Sequence, residues 1–148
     1  MLKEIFVDGY KSINQVQIEL KPFTLFSGVN SAGKSSVIQS INYVLDMQRQ
    51  QLGIKGKDEN AEIGRFVYVR NSVKGNKEIV FQLAEETIQK KTYLLRAIYS
   101  GSEAIDTLQT DFPTNDQLKE YAVENKTIYL SAERIGVQNT YELNTRNP

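Results

Sequence analysis

The chain contains no cysteine and no histidine. Without cysteine, disulfides and thiolate metal sites are excluded. Without histidine, neither a His-dependent catalytic triad nor a His-ligated zinc site can be built from these residues alone. There is no long apolar run, and therefore no candidate membrane span. The start, Met1-Leu-Lys-Glu-Ile-Phe-Val7, carries an acidic residue and only a brief apolar patch, so it does not read as a signal peptide. Internal repeats and low-complexity tracts are also missing. These absences fit a reducing, cytoplasmic setting without demonstrating it.

Charge of one sign is lacking overall, because 18 basic and 18 acidic residues cancel. Bulk charge therefore gives no nucleic-acid footprint, although its distribution is uneven. Residues 49–77 carry seven basic and three acidic side chains, and residues 78–124 carry four and nine. A phosphate-facing patch around Arg49, Lys55, Lys57, Arg65 and Arg70 is one reading of the basic segment. A solvated mixed surface is the commoner meaning of such runs, and is preferred here.

What is present centres on Gly28-Val-Asn-Ser-Ala-Gly-Lys-Ser-Ser36. Gly28, Gly33, Lys34 and Ser35 fall on the fixed places of the pattern Gly, four residues, Gly-Lys-Ser/Thr, which marks a phosphate-binding loop. Glycines let the backbone curl so that successive N–H groups converge on phosphate oxygens. The following helix adds the positive end of its dipole. Lys34 is the candidate catalytic residue, a mobile charge for the β- and γ-phosphates, and the Ser35 hydroxyl is the candidate magnesium ligand. Asn30, Ser31, Ala32 and Ser36 complete the candidate ATP contacts. Asn30 suits water or the outer phosphate, or else simply a left-handed turn position. Ser36 suits the inner phosphate, or is merely an early helix residue.

The surroundings support the motif. Upstream, Pro22-Phe-Thr-Leu-Phe26 is a short β-preferring stretch; downstream, Val37, Ile41, Val44 and Leu45 recur at helical spacing, with Leu52-Gly53 as a stop. A Gly/Ser-rich turn that contains a lysine by chance would not sit between a strand and a helix.

Along the rest of the chain, Ile5–Val7, Val16–Leu20 and Phe23–Phe26 read as strands, with Lys21-Pro22 as a tight connection. Residues 53–60 read as an exposed loop. Ile63–Val69, Glu78–Leu83, Thr92–Tyr99 and Thr127–Leu130 read as further strands, and Thr114 with Gln117 forms a capping-box spacing for a short helix. Tyr129, Tyr141, Phe66 and Tyr68 read as core and surface aromatics rather than base-stacking platforms. The 148 residues are the right size for one domain.

The opening Ile5-Phe-Val-Asp-Gly-Tyr-Lys-Ser12, a hairpin, and then Leu25-Phe-Ser-Gly-Val-Asn-Ser-Ala-Gly-Lys-Ser-Ser36 together resemble the amino-terminal half of RecF/SMC-type ATPases of the ABC superfamily. Val29 stands where that family often has proline. Tyr129-Leu-Ser-Ala-Glu-Arg-Ile-Gly136 is similar to an element of bacterial AAA-family ATPases close to the overcoming-lysogenization-defect nucleases and phage-defence ATPases. The resemblance implies an α/β P-loop NTPase of ABC/SMC type: an amino-terminal lobe, residues 1–148, with a mixed or antiparallel sheet around one phosphate-loop helix. It adds Lys11 and Ser12 as contacts near the base and phosphates. It implies ATP and Mg2+ as cofactors, a homodimer across the nucleotide face, and a DNA-directed or nuclease-type effector partner.

Two family elements are missing from the sequence: a Leu-Ser-Gly-Gly-like signature and an apolar strand ending in Asp-Glu. In Thr127-Ile-Tyr-Leu-Ser-Ala-Glu133, Ser131 and Ala132 stand where the carboxylates would begin, and neither supplies charge for a metal. The expectation is therefore a first lobe whose hydrolytic acids come from a longer protein. The spacing of Arg134 does not choose among a phosphate, an acidic neighbour and a partner subunit. Two alternatives remain open, a non-catalytic anion-binding interaction module and a compact P-loop kinase or GTPase. The second is disfavoured because there is no Asn-Lys-x-Asp guanine motif and a hairpin precedes the loop.

Overall fold

The computed structural model describes residues 1–51, 63–86 and 90–113. Their elements run β1 (Leu2–Asp8), β2 (Gln15–Glu19), α1 (Lys34–Gln51), α2 (Phe66–Val69), β3 (Glu78–Glu86), β4 (Thr92–Gly101) and β5 (Asp106–Asp111). The five strands form one sheet in the order β2-β1-β3-β4-β5, with every neighbouring pair antiparallel. The architecture is thus α/β with an antiparallel sheet, which resolves the expected mixed-or-antiparallel choice among the described residues.

Register explains which face is buried. Ile5 pairs with Ile18 and Leu83, Val7 with Val16 and Phe81, Leu83 with Leu95, Phe81 with Ala97, and Ile79 with Tyr99. Because side chains alternate along a strand, these residues share one face. Ile5, Val7, Ile79, Phe81, Leu83, Leu95 and Ala97 are fully buried there. Helix α1 lies on this face through Val37, Val44, Leu45 and Met47, all buried, with Ile41 and Tyr43 packed at its margin. The Phe81 ring makes T-shaped contacts with Tyr10 and Tyr43, with centroids 5.2 and 5.7 Å apart. Burying each such aliphatic or aromatic side chain contributes about 1.5–3 kcal/mol. Ser40, also fully buried, donates to the Ser36 carbonyl at 2.7 Å, so its hydroxyl is not left unpaired.

Three expectations are corrected. Phe23–Phe26 forms no strand: Phe23 and Leu25 are exposed, and no described strand lies beside them. The connection before it does form, with the Thr24 hydroxyl accepting from Lys21 N–H at 2.9 Å and donating back to its carbonyl at 3.2 Å. Ile63–Val69 is not a strand either, since Phe66–Val69 is the short helix α2. A four-residue apolar run fits both periods. The helix wins because it buries Phe66 and Val69 together, three residues apart on one face. Strand β5 escaped the sequence reading because Asp106-Thr-Leu-Gln-Thr-Asp111 has only one large apolar residue. It exists because a tight turn, with Ser102 N–H donating to the Ile105 carbonyl at 2.9 Å, folds it onto β4.

The expected loop at 53–60, the helix opening at Thr114, the strand Thr127–Leu130 and the Tyr129–Gly136 element lie outside the described residues. Among those described, no helix is long and apolar enough to cross a membrane.

Candidate functional site

The segment after the Lys21–Thr24 turn approaches α1 through three residues with positive φ: Gly28 at 146°, Ser31 at 65° and Gly33 at 89°. Left-handed residues interspersed with ordinary ones curl a chain into a nest of inward N–H groups. A turn from Ala32 N–H to the Val29 carbonyl, 3.3 Å, closes the loop. The first helical bond then runs from Val37 N–H to the Gly33 carbonyl at 3.0 Å. The orphan N–H groups of α1 therefore open directly onto the loop, where an anion is favoured. No acidic residue occupies the first turn of α1 to compete for that position.

Glycine is required at position 33 for two separate reasons. Its φ is unfavourable for a side chain, and an added Cβ would meet Ile13 Cγ1 at 3.2 Å and Ser12 Oγ at 3.3 Å. Gly28, by contrast, would have only Ala32 Cβ nearby, at 3.8 Å.

Lys34, the first residue of α1, is half-buried and turns back over its own loop. Its Nζ donates to the Gly28 carbonyl at 2.8 Å and the Val29 carbonyl at 2.6 Å. The ammonium is thereby held at the mouth of the nest by weak neutral acceptors, which phosphate oxygens would replace with charge-assisted bonds. Gly28, Asn30, Ser31, Ala32 and Ser35 are exposed, whereas Ser36 is buried. Ser35 thus has an accessible hydroxyl, while Ser36 faces the packed side of the helix.

Lys11 and Ser12 come to this loop from the turn between β1 and β2. Gly9 at φ 74° and Lys11 at φ 49° bend the chain sharply, with Gly9 N–H donating to the Asn14 carbonyl at 3.0 Å and Ile13 N–H to the Tyr10 carbonyl at 2.8 Å. Ser12 and Ile13 then rest against Gly33. Lys11 Nζ donates to Gln39 Oε1 on α1 at 2.8 Å and lies 5.1 Å from the Tyr10 ring centroid. The turn is anchored on its other side by Lys11 N–H to the Val69 carbonyl at 2.6 Å and by Asn71 N–H to the Gly9 carbonyl at 2.7 Å. Beneath it, burial pushes the Tyr10 phenol up to about 12.

Of the ten candidate contacts, Lys11 and Ser12 lie on the Gly9–Ile13 turn, Gly28, Asn30, Ser31, Ala32 and Gly33 on the adjacent loop, and Lys34, Ser35 and Ser36 in the first turn of α1, with Lys11 Nζ directed to Gln39 and Ser36 buried. Gln39, Ile13 and Asn71, which brace these turns, were not legible in the sequence; each acts through a long-range contact that has no local pattern. Two described members of the basic segment are engaged with neighbouring groups. Arg49 bonds Asp46 at 3.4 Å, and Arg65 donates to the Glu103 carbonyl at 2.6 Å and lies 3.7 Å from Asp106. Lys55, Lys57, Tyr129, Glu133, Arg134 and Tyr141 lie outside the described residues. No group of three or more Asp, Glu, His or Cys able to hold a metal occurs among the described residues.

No curated protein matches this sequence. A family model does: that of the AAA ATPase domain aligns with residues 1–147, essentially the whole chain and both turns of the site. The chain belongs to the AAA ATPase domain family.

Proposed function

We propose that this chain is the ATP-gripping amino-terminal lobe of a RecF/SMC-like ATPase. The observation that carries the proposal is the left-handed Gly28, Ser31 and Gly33 curl running straight into the 18-residue helix α1 with Lys34 at its start. In this reading the loop N–H groups take the β-phosphate and Lys34 leaves the Gly28 and Val29 carbonyls for the outer phosphates. Lys11 and Ser12 flank the bound nucleotide from the neighbouring turn.

Magnesium suits the donor set. It commonly binds through one or two protein oxygens plus substrate phosphates, and the exposed Ser35 hydroxyl in the first turn of α1 is such an oxygen. When bound, the ion neutralises charge between the phosphates. Hydrolysis is assigned to acids and a signature segment supplied by a carboxy-terminal lobe and a second subunit. A nucleotide lined on one side leaves charge uncompensated on the other, which favours a two-fold assembly around ATP. That assembly would gate a DNA-directed or anti-phage effector.

Lys34→Ala is the direct test. ATP affinity, measured by calorimetry, is expected to fall by at least about tenfold with the fold unchanged, as loss of a charge-assisted phosphate contact implies. Tight binding unaltered by the substitution would sink the phosphate-loop reading. Light scattering of the full-length protein with and without ATP tests the assembly, and a monomer under every nucleotide condition would overturn it.

A further inference from the structure

We propose that the sheet face turned away from α1 docks face to face on a second copy of this chain, with Arg96 of each copy meeting Glu4 of the other. Side chains alternate along a strand, so the residues between the core positions point to this second face. Register places Phe6, Val80, Ala84, Leu94 and Ile98 there on the three central strands, with Val80 paired to Ile98 and Ala84 to Leu94. Leu94 is 52% exposed and the other four are half-buried. Both described helices pack on the opposite face, α1 through Val37, Val44 and Leu45, and α2 through Phe66 against Tyr99. An antiparallel sheet face left to water is normally polar, so an apolar strip across its central strands marks a contact surface.

The charges on this face point to what covers it. Arg96 lies between Leu94 and Ile98 along β4, and its Nε is buried without a hydrogen-bond partner. No ion pair among the described residues includes Arg96 or its register neighbour Asp111 on β5. Glu4, in register with Ala84, is in none either. The other acids of β1 and β2 are engaged: Asp8 with Lys74 at 2.7 Å and Asn76 at 2.9 Å, and Glu19 with Lys21. Strand β3 separates the strands that carry Glu4 and Arg96, an interval of about 10 Å, and the two do not pair within one copy.

A two-fold axis supplies both missing partners. Turning a second copy onto this face sets Arg96 against Glu4 of the other copy and, by symmetry, Glu4 against the other's Arg96. The apolar strip between them, Phe6, Ala84 and Leu94, closes against its own copy at the usual ~10 Å spacing of packed sheets. Water leaves the ion pairs, and the planar guanidinium with its fork of donors suits a carboxylate in that setting. Nucleic acid fits less well, because Glu4, Asp8, Glu19 and Asp111 share the face and repel a phosphate backbone. The sheet lies between this face and α1, so the contact does not depend on the nucleotide reading.

The test is sedimentation velocity over a concentration series of the full 148-residue chain without nucleotide, for the parent, Arg96→Glu, Glu4→Arg, the double variant and Leu94→Asp. The parent should dimerise reversibly. Each single reversal sets like charges together and should weaken dimerisation by at least about tenfold, as should a carboxylate at position 94. The double variant should recover the parent's affinity. An equimolar mixture of the two single variants should form mixed dimers, because each then meets its opposite charge; a folding defect would not be rescued by mixing. A parent that stays monomeric at every concentration would overturn the proposal. So would a dimer that the reversals leave unaffected, or single variants that fail to associate when mixed. Leu94 is half exposed, so circular dichroism should show Leu94→Asp folded, and an undiminished dimer in that variant would equally overturn the interface.

Discussion

Lys11 Nζ and Gln39 Oε1 stand 2.8 Å apart, joining the turn between the first two strands to the second turn of the helix that begins at Lys34. Lys11 holds this contact from a left-handed backbone, φ 49°, an unusual conformation for a residue with a side chain. Such strain survives where the surroundings over-determine it, and here the Val69 carbonyl and Gln39 do so from opposite ends of the residue. A double-mutant cycle with Lys11→Ala and Gln39→Leu should give a coupling of no more than about 1 kcal/mol in urea unfolding, because both side chains are exposed. ATP affinity should fall in Lys11→Ala regardless of residue 39. A coupling well above that figure would mean the latch is a structural element of the core rather than a surface link.

The two loop glycines should differ in sensitivity. Gly28→Ala introduces backbone strain alone, since the added Cβ meets only Ala32 Cβ, at an ordinary contact distance of 3.8 Å. Gly33→Ala adds a close approach to Ile13 and Ser12, both held by the anchored turn. Strain at such positions costs about 1–3 kcal/mol, and Gly33→Ala is expected at the upper end with a larger drop in denaturant midpoint. Equal losses for the two substitutions would show that the turn yields freely to residue 33.

Purified alone, the chain should bind ATP·Mg and turn it over negligibly. Its sequence offers a phosphate loop without the Asp-Glu strand that positions metal and water, and loss of such groups typically removes orders of magnitude in rate. Phosphate release measured over hours is the assay. Robust turnover abolished by Lys34→Ala would identify an acid within these residues, with Glu133 the first to replace.

Alkaline pH should unfold the domain through its tyrosines. Burial pushes the Tyr10 and Tyr43 phenols from 10.0 up to about 12, with Tyr99 and Tyr10 adding a smaller effect at Tyr43. Below pH 10 both groups are neutral in folded and unfolded chains, so their contribution is fully retained. Between pH 10 and about 12 the unfolded chain loses protons first, and stability falls across that window. Tyr10→Phe and Tyr43→Phe should each flatten the fall in stability measured by circular dichroism between those pH values. An unchanged slope in both would place the alkaline transition elsewhere.

Local pattern determined much of this protein. Gly28, Gly33, Lys34 and Ser35 mark the proposed phosphate loop by type and spacing, because the chemistry of curling a backbone around an anion is confined to a few successive residues. The periodicity of Val37, Ile41, Val44 and Leu45 marked α1, and the strands read at Glu78–Leu83 and Thr92–Tyr99 start where β3 and β4 start and stop three and two residues short of their ends. Only the tertiary structure decided the rest. Phe66–Val69 became a helix because one sheet face had room for Phe66 beside Tyr99, and Phe23–Phe26 stayed unpaired because no described strand lies beside it. Polar β5 paired because the turn after β4 delivered it to an open edge. The link from Lys11 to Gln39 and the contact of Ser12 with Gly33 join residues 28 and 21 positions apart. No local period encodes contacts of that range, since they arise only once the sheet has fixed where each turn lies.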